Sequence, residues 1–172
     1  MRYLMKVSYD GSGFYGFQRL NEYRTVQKVL EEALGVINKG EVLVKGASRT
    51  DKGVHAYGQM IHFDVDYDIP ADRLMYAVNR ILDNDIRVLD CKKVGNDFHA
   101  RFNVKRKKYV YKINLGDFDC LKSRYFLQVY EKLDIDKMRK CAKVFLGCHD
   151  FRNFVAGVRD NYLMCVEDIK FN

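Results

Sequence analysis

Two hydrophobic periodicities alternate along the first 95 residues of this chain, and their order restricts the fold more than any other property of the sequence. Arg2–Tyr9 puts Tyr3, Met5, Val7 and Tyr9 on one face, the period of two of a half-buried strand. An aromatic, glycine-rich stretch runs on to about Arg24. Thr25 then offers an N-cap hydroxyl, and Val26, Val29, Leu30, Ala33, Leu34 and Ile37 follow at helical spacing. Val42–Ala47 predicts a short buried strand, and Gln59, Ile61, Phe63 and Val65 predict an alternating one. Pro70 stands at a helix start, with Leu74, Ala77, Val78, Ile81 and Leu82 on one helical face, and Ile86–Val94 predicts a fourth strand.

The resulting order, β-α-β-β-α-β, predicts an α+β domain of the ferredoxin-like type over residues 1–103, an outline shared with the RRM-like sheet domain that binds RNA. A second unit is predicted over 104–172. There Tyr109, Tyr111 and Ile113 alternate as in a strand. Asp134 can cap a helix carrying Met138, Cys141, Ala142 and Phe145 on one face, with Gly147 as its stop, and Asn161–Phe171 predicts one more strand. This second unit reads β-α-β, the first half of another β-α-β-β-α-β.

Composition narrows the function classes. With 12 Tyr, 11 Phe and a single proline the chain is not disordered, and at 172 residues it can bury about 70% of its unfolded surface without a disulfide or metal. The longest uncharged stretch, Gly53 to Phe63, is far short of the roughly 18 apolar residues of a membrane span. Lys6 and Asp10 fall where a signal peptide needs its apolar region, so a cytoplasmic protein is expected. Five cysteines (91, 120, 141, 148 and 165) without a CxxC are expected as reduced thiols, and the scattered histidines, with no ligands at zinc spacing, predict no metal site. Residues 1–100 carry no net charge, so the whole +7 lies in 101–172; Arg101 to Arg124 alone holds eight basic and two acidic side chains. Such a concentration suits a polyanion partner or, more plainly, a solvated basic strand.

Three stretches could carry chemistry. Gly11-Ser12-Gly13-Phe14-Tyr15-Gly16 matches G-x-G-x-x-G after a strand, but no helix opens until Thr25, so a structural glycine loop is expected instead of a dinucleotide cradle. In Ser48-Arg49-Thr50-Asp51-Lys52-Gly53-Val54-His55 one carboxylate is flanked by two cations, which favour the ionised form of an acid; an ionised Asp can act as nucleophile or base. The same residues also make a good hairpin turn. In Lys105-Arg106-Lys107-Lys108-Tyr109-Val110-Tyr111-Lys112, cations interleaved with aromatics suit phosphates and a stacked base, although both tyrosines could equally be core residues of one strand face.

The sequence resembles the TruA family of tRNA pseudouridine synthases. The resemblance is carried by Tyr9-Asp10-Gly11-Ser12-Gly13-Phe14-Tyr15-Gly16-Phe17-Gln18, Thr25-Val26-Gln27, Ser48–Ala56, Phe98-His99-Ala100-Arg101-Phe102, Tyr109-Val110-Tyr111 and Gly147-Cys148-His149-Asp150-Phe151. It implies isomerisation of uridine to pseudouridine in the anticodon stem-loop of tRNA, no metal or organic cofactor, and a homodimer of two-domain subunits with the active cleft between the domains. It implies that Asp51 is the catalytic aspartate, that Arg49 helps displace the target nucleotide, and that Tyr109 stacks on the target uracil. Lys105, Arg106, Lys107 and Lys108 are expected to contribute to the tRNA footprint. Two stretches depart from the family pattern. Leu82-Asp83-Asn84-Asp85-Ile86 replaces Leu-Pro-x-Asp-Ile, and the Met-Val-Arg-like segment whose basic residue pairs with the family's aspartate is absent. An unfinished second domain, and weak or no activity of these residues alone, are therefore expected.

A non-catalytic RNA-binding module of RRM-like fold fits the element order and the basic stretch equally well. It gives no reason for an anion beside the RNA, and no RNP1 octamer is present. A ferredoxin-like small-molecule regulatory domain explains neither the basic stretch nor the Asp51 loop.

Overall fold

The N-terminal alternation becomes an inner strand of a sheet in the computed structural model, which describes residues 1–158 and 160–172. The chain divides into two units, Met1–Tyr109 and Val110–Asn172. In the first, β1 (Arg2–Tyr9), β2 (Lys45–Gly46), β3 (Ala56–Asp64) and β4 (Ile86–Lys93) form a mixed α+β domain with α1 (Val26–Asn38) and α2 (Ala71–Ile81). The strand order is β2-β3-β1-β4, and every neighbouring pair is antiparallel.

One face of this sheet carries the core. Tyr3, Met5, Val7 and Tyr9 of β1 join Ile61 and Phe63 of β3 and Ile86 and Val88 of β4, packed with Val26, Leu30 and Leu34 of α1 and Leu74 and Val78 of α2. The Tyr3 hydroxyl donates to Ile69 O at 2.6 Å and accepts from Ile69 N at 3.0 Å, with Asp68 Oδ1 at 3.5 Å, which anchors the chain leading into α2. Thr25 caps α1 as expected, its hydroxyl accepting from Lys28 N.

The strand predicted over Val42–Ala47 is paired only at Lys45–Gly46, although Val42, Val44 and Ala47 are buried. The backbone of Val44 is claimed by α1 instead. Its N–H donates to Glu31 Oε1 at 3.0 Å and its carbonyl accepts from Gln27 Nε2 at 3.1 Å. Gln27 also donates to Glu31 Oε1 at 2.9 Å and accepts from Arg19 N at 3.0 Å, so this one side chain ties together helix, buried segment and the loop before the helix. A buried carboxylate such as Glu31 is tolerable only with donors of this kind around it, Arg19 Nη1 at 3.2 Å included.

The second unit departs from its expected pattern. No strand forms over the basic run; the first paired residues are β5 (Ile113–Asn114), parallel to β6 (Leu127–Gln128). Tyr109 and Tyr111 are 71% and 88% exposed and are not core residues of a strand face. Alternation alone does not make a strand: unless a partner takes its N–H and C=O groups, a run of cations stays solvated. Asp134 does cap α3 (Ile135–Ala142), accepting from Lys137 N at 2.9 Å, and Gly147, at φ +97°, follows in the left-handed region. β7 (Gly147–Asp150) and β8 (Leu163–Val166) pair antiparallel. Their register sets Cys148 directly opposite Cys165, and the two are joined in a disulfide, so the expectation of five reduced thiols fails; Cys91, Cys120 and Cys141 are free. Opposed positions of an antiparallel pair bring two Cβ atoms within reach, a geometry that sequence spacing does not reveal. No described residue of this unit is buried. No helix among the described residues is long and apolar enough to cross a membrane.

On the sheet face away from the helices, the buried His62 accepts a hydrogen bond from Ala100 N at Nδ1, 3.1 Å, with the His99 ring 4.5 Å away. Burial, then the neighbouring His99, pushes the His62 pKa down to about 4. The unfolded chain therefore takes up this proton at higher pH than the folded one. Stability from the neutral ring is present in full above about pH 6.5 and is lost as the pH falls toward about 4, a loss of roughly 2–3 kcal/mol. Urea unfolding between pH 7 and 4.5 should show this decline in the native protein and not in His62→Gln. Equal curves for the two would refute it.

Candidate active site

The glycine loop and the Asp51 loop, some 40 residues apart in sequence, are joined backbone to backbone. Phe17 N donates to Thr50 O at 2.9 Å and Gly53 N to Phe14 O at 3.2 Å, while Val54 N closes a turn on Asp51 O at 3.2 Å. This approach leaves no room for side chains. A Cβ on Gly11 would stand 2.1 Å from Val54 O, and one on Gly16 2.7 Å from Thr50 O. Gly16 also has φ +87°, which favours glycine. The G-x-G-x-x-G pattern thus serves a close backbone approach, in keeping with the structural loop expected of it.

Side chains complete the seam. The Tyr9 hydroxyl meets Thr50 Oγ1 at 2.9 Å, and Gln59 Nε2 donates to Ser48 O at 2.7 Å. Gly11 N donates to His55 Nδ1 at 3.1 Å, and Asp10 Oδ1 lies 3.0 Å from the same nitrogen. Phe14 and Phe17 are buried beneath the loop, Phe17 against Gly46, where a Cβ would come within 2.5 Å of its ring. The guanidinium of Arg24 lies 4.1 Å from the Phe14 ring centre and grips Asp85 through both oxygens at 2.7 and 2.9 Å, with Asp83 at 3.0 Å. The turn before β4 is thus tied to this loop mainly through Asp85, which the family pattern shares, and Asp83, which stands where that pattern has proline, adds one further contact.

Among the sequence-predicted residues, Asp51 and Arg49 are exposed on this anchored loop, and the side chain of Asp51 has no hydrogen bond or ion pair among the described residues. Lys52 extends its ammonium to 3.9 Å from the Tyr15 ring centre, and Tyr15 stacks on Tyr23 at 4.2 Å. Lys107 comes to the same loop, its Nζ 3.4 Å from Ser48 Oγ. Lys105, Arg106, Lys108 and Tyr109 are exposed along the same run, in the first unit. The arrangement presents one unpartnered carboxylate with cations on both sides, able to attack an electrophilic carbon or accept a proton. Sequence reasoning missed the Tyr15–Tyr23 stack and the Arg24 fork; the one available signal was the pair of acids at 83 and 85. No group of three or more His, Cys, Asp or Glu among the described residues is placed to hold a metal ion.

Gly16 and Gly53 separate the two demands on glycine. Both have positive φ, but a Cβ at Gly53 meets nothing within 4 Å. Gly53→Ala should cost about 1–2 kcal/mol from backbone strain alone, and Gly16→Ala about 1–3 kcal/mol more from the clash with Thr50. Denaturant unfolding measures both, and equal losses would mean that the close approach carries no weight.

Comparison with known proteins bears on the same region. The sequence profile of a family described as tRNA pseudouridine synthase matches residues 5–103. A tRNA pseudouridine synthase A of Lactobacillus acidophilus is 44% identical over 158 residues, covering 90% of this chain and 60% of the relative. That of Lactobacillus delbrueckii is 43% identical, covering 96% and 67%, and that of Bacillus pumilus is 43% identical, covering 91% and 64%. The chain thus spans about three fifths to two thirds of the length of the curated relatives it matches. With both its glycine loop and its Asp51 loop inside the matched span, the chain belongs to the tRNA pseudouridine synthase family.

Proposed function

We propose that the chain isomerises uridine to pseudouridine in the anticodon stem-loop of tRNA, with Asp51 as the catalytic carboxylate. The observation that carries this reading is Asp51 itself: an exposed acid without a side-chain partner among the described residues, on a loop whose backbone is fixed on both sides, between Arg49 and Lys52. We further read the first unit as ferredoxin-like, a reading supported by its element order and by the strand order β2-β3-β1-β4. The same proposal carries a cytoplasmic location and a homodimer.

The reaction breaks the N1–C1′ bond, turns the uracil over and joins C5 to C1′. As nucleophile, the carboxylate bonds C1′ while uracil leaves with the N1 electron pair; C5 then attacks C1′, the carboxylate departs, C5 loses its proton and N1 gains one. As base, the carboxylate takes the 2′ proton as N1–C1′ breaks and uracil leaves with the N1 electron pair, and returns it when C5 joins C1′; here too C5 then loses its proton and N1 gains one. The target must first leave its stack, at a cost of a few kcal/mol. Arg49 would fill the vacated space, and Tyr109 would stack on the flipped base, contributing roughly 1–3 kcal/mol. The exposure of Tyr109 is what such a role needs and what a core role would not allow. Lys105, Arg106, Lys107 and Lys108 would neutralise phosphates.

Asp51→Asn should lower turnover by at least about 10³, roughly 4 kcal/mol of barrier, with tRNA binding little changed. The assay is release of the uracil C5 hydrogen from labelled tRNA. A variant that keeps a tenth of the native turnover would refute Asp51 as the catalytic carboxylate, whereas no hydrogen release by the native protein would leave the non-catalytic RNA-binding module as the better account. Changing Lys105, Arg106, Lys107 and Lys108 together to Gln should flatten the slope of log K against log salt by about 1.5, as for two lost phosphate contacts. An unchanged slope would make them ordinary solvated charges.

A further inference from the structure

We propose that Tyr15, stacked on Tyr23 and capped by Lys52, is a positioning residue that holds the tip of the Asp51 loop; this rests on the reading of Asp51 as the catalytic carboxylate. The seam bonds fix the loop at Thr50, Gly53 and Val54, but they leave the Asp51 side chain without a partner among the described residues. Its neighbour Lys52 is the side chain at the tip with a defined seat. A lysine on an exposed turn samples many rotamers, and seating its ammonium on a ring removes that freedom from the turn as well.

The seat is itself braced. Tyr15 N donates to Arg24 O at 2.9 Å, and the Arg24 side chain is forked onto Asp85 and Asp83. Support therefore runs from the turn before β4, through Arg24 and Tyr15, to Lys52 and the residue beside it. A ring has two faces. Face contacts with an ammonium at 3.9 Å and a stacked ring at 4.2 Å must take one each, so Tyr15, though 44% exposed, offers no free face to a nucleobase. That argues for a strut and against a stacking platform.

The test compares Tyr15→Leu, which removes the π-system, with Tyr15→Phe, which retains it, and with Lys52→Met. Two readouts are taken. The first is hydrogen exchange at the Gly53 and Val54 amides, which donate to Phe14 O and Asp51 O. It should quicken about fivefold in Tyr15→Leu and Lys52→Met, stay within about twofold of native in Tyr15→Phe, and leave the β1 and β3 amides unchanged as a check on folding. The second is turnover with tRNA, where kcat should fall about five- to tenfold in Tyr15→Leu with KM within about twofold, and Tyr15→Phe should restore it. The two losses should not add in the double variant, because each removes the same contact. Unchanged exchange at Gly53 and Val54 in Tyr15→Leu would overturn the clamp. So would a raised KM at constant kcat, which would make Tyr15 a direct RNA contact. Full turnover of Asp51→Asn would instead overturn the catalytic reading, and the exchange result would still decide the clamp.

Discussion

Two stretches of backbone approach each other more closely than side chains permit, and the candidate site depends on that approach. Where Gly11 faces Val54 and Gly16 faces Thr50, a methyl group would overlap a carbonyl oxygen. In the space left by the missing Cβ atoms, the loop after β1 and the loop before β3 exchange hydrogen bonds and act as one body with the strand ends that carry them. Without that seam, a polar loop bearing Arg49, Asp51 and Lys52 would have nothing to offset the entropy of holding one conformation. A carboxylate asked to reach one carbon or one proton needs that conformation fixed beforehand.

The elements that were legible in the sequence are those whose packing is decided within one segment. β1, β3 and β4 announce themselves by alternation, and α1 and α2 by an apolar stripe and a capping residue, because each buries one face against a common core. The segment at Val42–Ala47 shows the limit. Its burial was readable, but the backbone hydrogen bonds of Val44 go to Gln27 and Glu31, polar residues on a helix whose apolar stripe is what the pattern reports. The glycine loop behaves similarly. Its failure as a dinucleotide site follows from the missing helix, whereas its partner lies at Thr50–Val54 and cannot be found by local pattern. Asp51 and Arg49 were legible as a motif; the brace of Arg24, Tyr15 and Tyr23 was not, since it depends on the fold to bring Asp85 and Lys52 to the same loop.

The two units differ in what stabilises them. The first buries a continuous set of large side chains between sheet and helices, at about 25 cal/mol for each Å² removed from water. The second has helix capping, short strand pairs, a disulfide and a cluster of Phe145, Phe151 and Phe154 with centroids 5.7 to 6.3 Å apart, but no buried side chain among its described residues. Local hydrogen bonds add little net stability in water, because each replaces one made to solvent. The disulfide between opposed strands fits this balance: a covalent link can fix a hairpin register that burial does not specify. Its cysteines carry no motif because the pairing is a property of the register.

Under the proposed function, the placement of charge answers a problem that a catalytic carboxylate poses to a polyanion. Two like charges repel by about 1 kcal/mol at 4 Å even in water, and by more where RNA displaces that water. A lone Asp51 facing a phosphate backbone would therefore oppose the binding it has to act upon. Arg49 and Lys52 neighbour Asp51 on the loop, and Lys107 reaches the same loop at hydrogen-bond distance from Ser48; under the proposed reading these cations would offset that repulsion. The two loop cations differ in freedom: Lys52 is seated on Tyr15, whereas Arg49 is exposed at the start of the same loop. The basic run beyond Asn103, which reaches the loop through Lys107, would extend that attraction along the chain.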